Sequence, residues 1–147
     1  MMQLPFSGGC ACGRIRYECS APPRRMVNCH CRDCQLASGS AYSPTLVMAR
    51  DAVRLTRGQP ASFDKQAESG NIARREFCAH CGTPLFASSS ASPQHLGVRA
   101  ASLDDSSWYQ PEADVWTGSA QAWDCMDAAI PKFEKSRPRA SGSKMPT

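Results

Sequence analysis

Hydrophobic and polar residues alternate through much of this chain, and that pattern predicts strands with one buried face. Between residues 14 and 19, Ile15, Tyr17 and Cys19 alternate with charged side chains. Every second side chain of a strand lies on the same face, so these three would face a core. Further strands are predicted at 41–49, 53–56, 62–66 and 94–100, and the segments 72–77 and 84–88 would flank Cys78 and Cys81 as the two arms of a hairpin.

Helical periodicity is nearly absent from the chain. Residues 35–37 are long enough for one helical turn, which Gly39 would end. Toward the C-terminus, Trp108, Trp116 and Trp123 stand among Asp, Pro and Ser residues. We expect this last third to wrap the sheets as loops, with its tryptophans in the core. The pattern therefore predicts an all-β-dominated fold.

Length and composition are typical of a single globular domain. The chain has 147 residues, of which 41% are hydrophobic and 20% are charged. Residues 136–147 consist mostly of Ser, Pro, Lys and Arg and have little to bury. We therefore predict one domain over residues 1–135, followed by a disordered tail at 136–147.

Charge and hydropathy limit the partners that we expect. The net charge of +4 comes from 17 basic and 13 acidic residues, and the only basic doublets are Arg24-Arg25 and Arg74-Arg75. This mild excess predicts no nucleic-acid surface. No apolar run approaches the roughly 20 residues of a membrane span, and the N-terminus lacks the pattern of a secretory signal. We expect a cytoplasmic protein, whose thiols stay reduced.

Seven of the nine cysteines fall into three compact groups. Cys78-x-x-Cys81 followed by a glycine is typical of a zinc knuckle, in which a tight turn brings two sulfurs together. One knuckle supplies two ligands, and Cys10-x-Cys12, surrounded by glycines, is the natural source of the other two. The spacing predicts a structural zinc bound by Cys10, Cys12, Cys78 and Cys81, which would stabilise the fold directly.

The middle group, Cys29-x-Cys31-x-x-Cys34, has no fourth cysteine beside it. Three thiolates would leave one position of a zinc ion open, as is usual for reactive zinc sites. Alternatives remain open: a redox centre, or a fourth ligand contributed by His30, Cys19 or Cys125. We interpret Cys19 as a buried strand thiol and Cys125 as a core or surface thiol. The remaining histidines, His80 and His95, are interpreted as a spacer in the knuckle and an ordinary strand residue.

The chain contains three motifs in this order: Gly8-Gly9-Cys10-x-Cys12-Gly13, Asn28-Cys29-His30-Cys31-Arg32-Asp33-Cys34, and Phe77-Cys78-x-x-Cys81-Gly82-Thr83-Pro84-Leu85. Together they resemble the glutathione-dependent formaldehyde-activating enzyme family, which shares its domain with centromere protein V. The resemblance covers roughly residues 6 to 135. It implies an Mss4-like fold of β-sheets around the structural zinc and a second, catalytic zinc held by Cys29, Cys31 and Cys34.

The same resemblance implies an activity, the condensation of glutathione with formaldehyde to S-hydroxymethylglutathione, which is a carbon–sulfur lyase reaction in reverse. A small thiol and a small aldehyde would then be the partners. Glutathione carries two carboxylates, which Arg32, together with Arg14 or Arg16, would bind by paired hydrogen bonds. A non-catalytic carrier or interaction module built on the same scaffold is the alternative, because a fold does not by itself fix an activity.

Overall fold

Short strands dominate the computed structural model, which describes residues 1–67 and 69–138. The strands, in chain order, are β1 (Phe6–Gly9), β2 (Arg16–Cys19), β3 (Arg25–Cys29), β4 (Ser43–Ala49), β5 (Val53–Arg57), β6 (Ala61–Gln66), β7 (Ile72–Phe77), β8 (Pro84–Ser89), β9 (His95–Arg99), β10 (Ala113–Val115) and β11 (Lys132–Phe133). One α-helix, α1 (Arg32–Ser38), lies between β3 and β4. The prediction of a β-dominated fold is confirmed, whereas the predicted tail lies mostly outside the described residues.

Two sheets form the architecture. The smaller sheet has the order β1-β2-β5, and the larger has the order β11-β10-β3-β4-β9-β8-β7-β6. All neighbours pair antiparallel except β10, which runs parallel to both β3 and β11. The main hydrophobic core joins the two sheets, since Tyr17 of the smaller sheet packs in one cluster with Leu46, Met48 and Val98 of the larger. Alternation along β2, β4 and β9 supplies that buried face.

The predicted strands agree with the observed ones to within about two residues, but β1, β3, β10 and β11 were not predicted. The prediction of a loop at residues 113–115 is wrong, because these residues form β10, a fully buried strand between β3 and β11. A strand of three residues is too short to show alternation. Its pairing partner β3 is distant in the chain, so no local pattern indicates the pairing. The tryptophan prediction is also partly wrong: Trp108 packs on the core, but Trp116 and Trp123 are 37% and 69% exposed.

Helix α1 is longer than the single turn that the sequence predicts. Its first turn is capped by Cys31, whose sulfur accepts a hydrogen bond from the Cys34 amide at 3.3 Å. Its end is set by Gly39, which adopts a left-handed conformation (φ 66°) and donates to the Gln35 carbonyl. No helix among the described residues has the length and hydropathy needed to cross a membrane.

Candidate metal centres

The four-cysteine cluster consists of Cys10, Cys12, Cys78 and Cys81, whose sulfurs all lie within 4.8 Å of one another. The Sγ atom of Cys12 lies 3.6 Å from that of Cys10 and 3.8 Å from that of Cys78. A tetrahedral zinc ion with zinc–sulfur bonds of about 2.3 Å requires sulfur separations of about 3.8 Å. The donor set and its spacing therefore fit a zinc ion, and the four thiols are free rather than joined in disulfides.

Two glycine turns bring these sulfurs together. In the first, the Gly13 amide donates to the Cys10 carbonyl at 3.1 Å. In the knuckle, the Gly82 amide donates to the Cys78 carbonyl at 2.8 Å. Both glycines have φ of 78°, a left-handed conformation that costs little only for glycine. Each cysteine pair is thus carried by its own turn, and the cluster brings the N-terminal strand to the β7–β8 turn.

Backbone and hydroxyl donors surround this cluster. The Ile15 amide donates to the Cys10 sulfur at 3.3 Å, and the Cys81 amide lies 3.5 Å from the Cys78 sulfur. Hydrogen bonds from the side chain and backbone of Thr83 lower the pKa of Cys81 to about 5. Such contacts favour the thiolate form, which is the form that binds metal.

The three-cysteine cluster consists of Cys29, Cys31 and Cys34, with sulfurs again within 4.8 Å of one another. Cys29 ends β3, Cys31 caps α1 and Cys34 lies in the first turn of that helix. Because the chain passes directly from a strand into a helix here, three thiols converge within six consecutive residues. This donor set also fits zinc, and it leaves one coordination position without a cysteine.

His30 does not complete the three-cysteine cluster. Its ring is fully buried, with Nε2 2.8 Å from Asp114 Oδ1 and Nδ1 2.6 Å from Asp124 Oδ2. The second contact is close but is not aligned as a hydrogen bond. Both ring nitrogens therefore face carboxylates, and Asp114 is also paired with Lys132 at 3.1 Å. The alternative in which His30 is a fourth ligand is wrong, because its nitrogens are directed to these partners.

The other candidate fourth ligands lie outside the cluster as well. Cys19 is fully buried in β2 of the smaller sheet, and burial raises its pKa to about 12. Cys125 is an exposed thiol that belongs to neither group of converging sulfurs. The interpretation of Cys19 as a buried strand thiol is confirmed, and Cys125 is a surface thiol.

Two arginines that the motifs did not indicate flank the three-cysteine cluster. Arg75 Nη2 lies 3.8 Å from the Cys34 sulfur. Arg99 is only 6% exposed, and its Nη1 donates to Thr45 Oγ1 at 2.7 Å. Hydrogen bonds from the Cys29 and Cys31 thiols, reinforced by the positive charges of Arg99 and Arg75, lower the pKa of Cys34 below its usual range. The surroundings thus favour the thiolate form at Cys34.

Cys29 and Cys34 open onto a groove of about 340 Å³, here called the arginine groove. Its lining includes four arginines, Arg25, Arg75, Arg99 and Arg137, and no aspartate or glutamate among the described residues. A second cavity of about 500 Å³, lined mainly by apolar side chains such as Phe63 and Phe86, shares Arg75 and Arg99 with the groove. The two guanidinium groups therefore border both a basic and an apolar space beside the thiols.

The arginines predicted to bind substrate carboxylates lie elsewhere. Arg32 is exposed, and its Nη1 donates to Gln35 Oε1 at 3.2 Å. Arg16 forms a two-point ion pair with Asp104 on the smaller sheet, and Arg14 is exposed. None of the three lines the arginine groove. A role for Arg32 in substrate binding stays a prediction.

Arg99, by contrast, could have been noticed in the sequence only as a charged residue at the end of the predicted strand 94–100, two positions after Gly97.

Comparison with known proteins agrees with the resemblance noted in the sequence. A family model described as glutathione-dependent formaldehyde-activating enzyme matches residues 5–119. Among solved structures, the chain is similar to the crystal structure of a Rhodobacter sphaeroides protein from a structural genomics programme. That similarity has a TM-score of 0.56 and 20% sequence identity, and it covers 67% of this chain and 88% of the other. Identity at this level shows a shared fold only.

Proposed function

The chain belongs to the glutathione-dependent formaldehyde-activating enzyme family, and we propose that it catalyses the reversible addition of glutathione, or a related thiol, to formaldehyde. In this reaction the thiol sulfur bonds to the carbonyl carbon, the carbonyl π pair moves to oxygen, and the thiol proton ends on that oxygen. The reverse reaction breaks the carbon–sulfur bond, so the activity is that of a carbon–sulfur lyase. Family membership also supports an Mss4-like architecture for residues 1–135.

The two cysteine clusters would have different roles in this function. The four-cysteine cluster would hold a structural zinc, since its four thiols fill a tetrahedral coordination sphere. The three-cysteine cluster would hold a catalytic zinc with one open position. A zinc ion there would act as a Lewis acid and make a thiolate available near neutral pH. A reducing compartment such as the cytoplasm would keep the seven thiols free for metal.

The observation that carries this proposal is the placement of the three-cysteine cluster at the wall of the arginine groove. Cys29 and Cys34 line the groove, whose volume of about 340 Å³ lies within the usual range of roughly 300–1,000 Å³ for small-molecule sites. A thiol and an aldehyde held side by side there would react with less loss of entropy than in solution. Arg75, 3.8 Å from the Cys34 sulfur, supplies positive charge beside the cluster at which the substrate thiol would react.

The test is the exchange of formaldehyde between its free form and glutathione, measured by NMR with zinc-loaded protein. We expect faster exchange with the native chain than in buffer, and loss of that acceleration in Cys34→Ser. Cys125→Ser is the matched control, because it removes an exposed thiol that belongs to neither cluster. It should exchange at the native rate.

Three outcomes would contradict the proposal. No acceleration by the native protein would exclude glutathione–formaldehyde chemistry at this site. Stoichiometric binding of the adduct without turnover would instead support the carrier role. Equal acceleration by Cys34→Ser would place the chemistry away from the three-cysteine cluster.

A further inference from the structure

We propose that the arginine groove binds a carboxylate of the thiol substrate, with Arg99 as the buried anchor and Arg75 as the second guanidinium. The inference rests on the proposed function for the identity of the thiol. It adds which side chains recognise the carboxylate charge and where in the fold they lie. These differ from Arg32, Arg14 and Arg16, which the sequence suggested.

An incomplete set of hydrogen bonds at Arg99 is the first observation. The side chain is 6% exposed, and Nη1 donates to Thr45, but Nη2 has no hydrogen-bond partner within residues 1–67 and 69–138. A buried donor on a charged group is costly to leave without an acceptor. Arg99 lines the groove, so an anion bound there is the candidate for the missing acceptor.

The charge balance of the groove is the second observation. Arg137 is paired with Glu112 at 3.4 Å, but within the described chain Arg25, Arg75 and Arg99 form no ion pair with a carboxylate. A divalent ion on three thiolates carries a net charge of about −1, which offsets only one guanidinium. The groove therefore retains excess positive charge that an anionic ligand would neutralise.

The position of these arginines points to a carboxylate carried by the reacting molecule itself. Arg75 lies 3.8 Å from the Cys34 sulfur, so a group bound between Arg75 and Arg99 lies close to the three-cysteine cluster. A small thiol that also carries a carboxylate can reach both places at once. The planar fork of a guanidinium matches a carboxylate with two parallel hydrogen bonds, which fixes the orientation of the ligand as well as its charge.

The chain offers a matched control on the same strand. Arg74 precedes Arg75 on β7, but its side chain is exposed and paired with Asp64 in two hydrogen bonds. Successive residues of a strand point to opposite faces, and only Arg75 lines the groove. Arg74→Met and Arg75→Met each remove one positive charge from the protein, but only Arg75→Met changes the lining of the groove.

The experiment is a calorimetric titration of zinc-loaded protein with S-methylglutathione, which has both carboxylates but no free thiol. Its dimethyl ester, which lacks both negative charges, is the second probe. We expect the native protein and Arg74→Met to bind the acid equally. Arg75→Met and Arg99→Met should each bind it about tenfold to hundredfold more weakly, the loss expected for one charged hydrogen-bond partner. The native protein should bind the ester more weakly by a similar factor.

Equal affinity for the acid and the ester, or undiminished affinity in both groove variants, would overturn the inference. Arg75 is only half-buried, so Arg75→Met tests the inference even if Arg99→Met does not fold. Because S-methylglutathione cannot add to an aldehyde, its binding does not depend on turnover. Charge-dependent binding without formaldehyde exchange would refute the proposed function alone, whereas exchange with charge-independent binding would refute this inference alone.

Discussion

The two cysteine clusters use the same ligand chemistry in different surroundings. The four-cysteine cluster lies at two glycine turns, where Cys12 and Cys81 are exposed and the nearby donors are backbone amides and Thr83. The three-cysteine cluster lies between a strand and a helix, where Arg75 and Arg99 border the thiols and a groove opens beside them. Ligand number and neighbouring charge therefore distinguish the proposed structural site from the proposed reactive one, although the structural site has the more exposed cysteines.

The clusters also differ in how much chain they join. Cys12 and Cys78 are 66 positions apart, so a metal ion there links the N-terminal strand to the β7–β8 turn. The three-cysteine cluster spans six residues and joins only the end of β3 to the start of α1. Closing a longer loop removes more conformational freedom from the unfolded chain. Loss of the first site should therefore affect the whole fold, and loss of the second should act locally.

The largest effect that we predict follows from this difference. Cys78→Ser should release the structural metal and abolish cooperative unfolding, because structural zinc contributes roughly 10–16 kcal/mol, whereas a typical domain is stable by only about 5–15 kcal/mol. Cys34→Ser is the matched variant in the other cluster and should keep a cooperative transition. Near-UV circular dichroism and the metal content per chain measure both results.

A folded Cys78→Ser protein with its full metal content would refute the structural role of the four-cysteine cluster. Equal unfolding in both variants would remove the functional difference between the clusters.

An intermediate effect is expected at His30, which tests how the three-cysteine cluster is held. His30→Asn would leave the buried carboxylates of Asp114 and Asp124 facing each other without the imidazole between them. Removing the hydrogen-bond partner of a buried polar group costs about 1–3 kcal/mol, and more for a charged group such as these carboxylates. Urea unfolding of the zinc-loaded protein measures the loss. His80→Asn, at an exposed position in the knuckle, should change stability little.

The His30 variant also tests whether the two clusters are independent, because His30 lies between two cysteines of only one of them. We expect His30→Asn to weaken metal binding at the three-cysteine cluster while the four-cysteine cluster stays loaded. Weaker metal binding at both clusters in His30→Asn would show that the two clusters are not independent.

The smallest effect concerns a surface ion pair on the smaller sheet. Arg16 and Asp104 are 34% and 51% exposed, so solvent screens their attraction, and a double-mutant cycle of Arg16→Gln and Asp104→Asn should give less than about 1 kcal/mol at pH 7. The hydrogen bond and charge of Arg16 lower the pKa of Asp104. This contribution is therefore present above the unfolded pKa and is lost as pH falls through the lowered folded pKa. A coupling energy that persists in 1 M salt would contradict this account.

Much of the sheet content was accessible from local patterns. Alternation located β2, because Tyr17 and Cys19 are buried on one face of that strand. Alternation did not locate β1, β3, β10 or β11. The first of these is rich in glycine, and β10 has three residues whose burial depends on pairing with β3 and β11. A strand of this kind is determined by its neighbours rather than by its own composition.

The sequence alone located the seven clustered cysteines, because CxC and CxxC spacings beside glycines are local signals of converging sulfurs. Tertiary structure decided what surrounds them. Arg75 and Arg99 reach the three-cysteine cluster from β7 and β9 through the pairing of the larger sheet, and His30 meets Asp114, which is 84 positions away. Contacts of this kind depend on which strands become neighbours, and no local motif encodes that choice. The chain thus specifies its candidate metal ligands by spacing and its charged groove by folding.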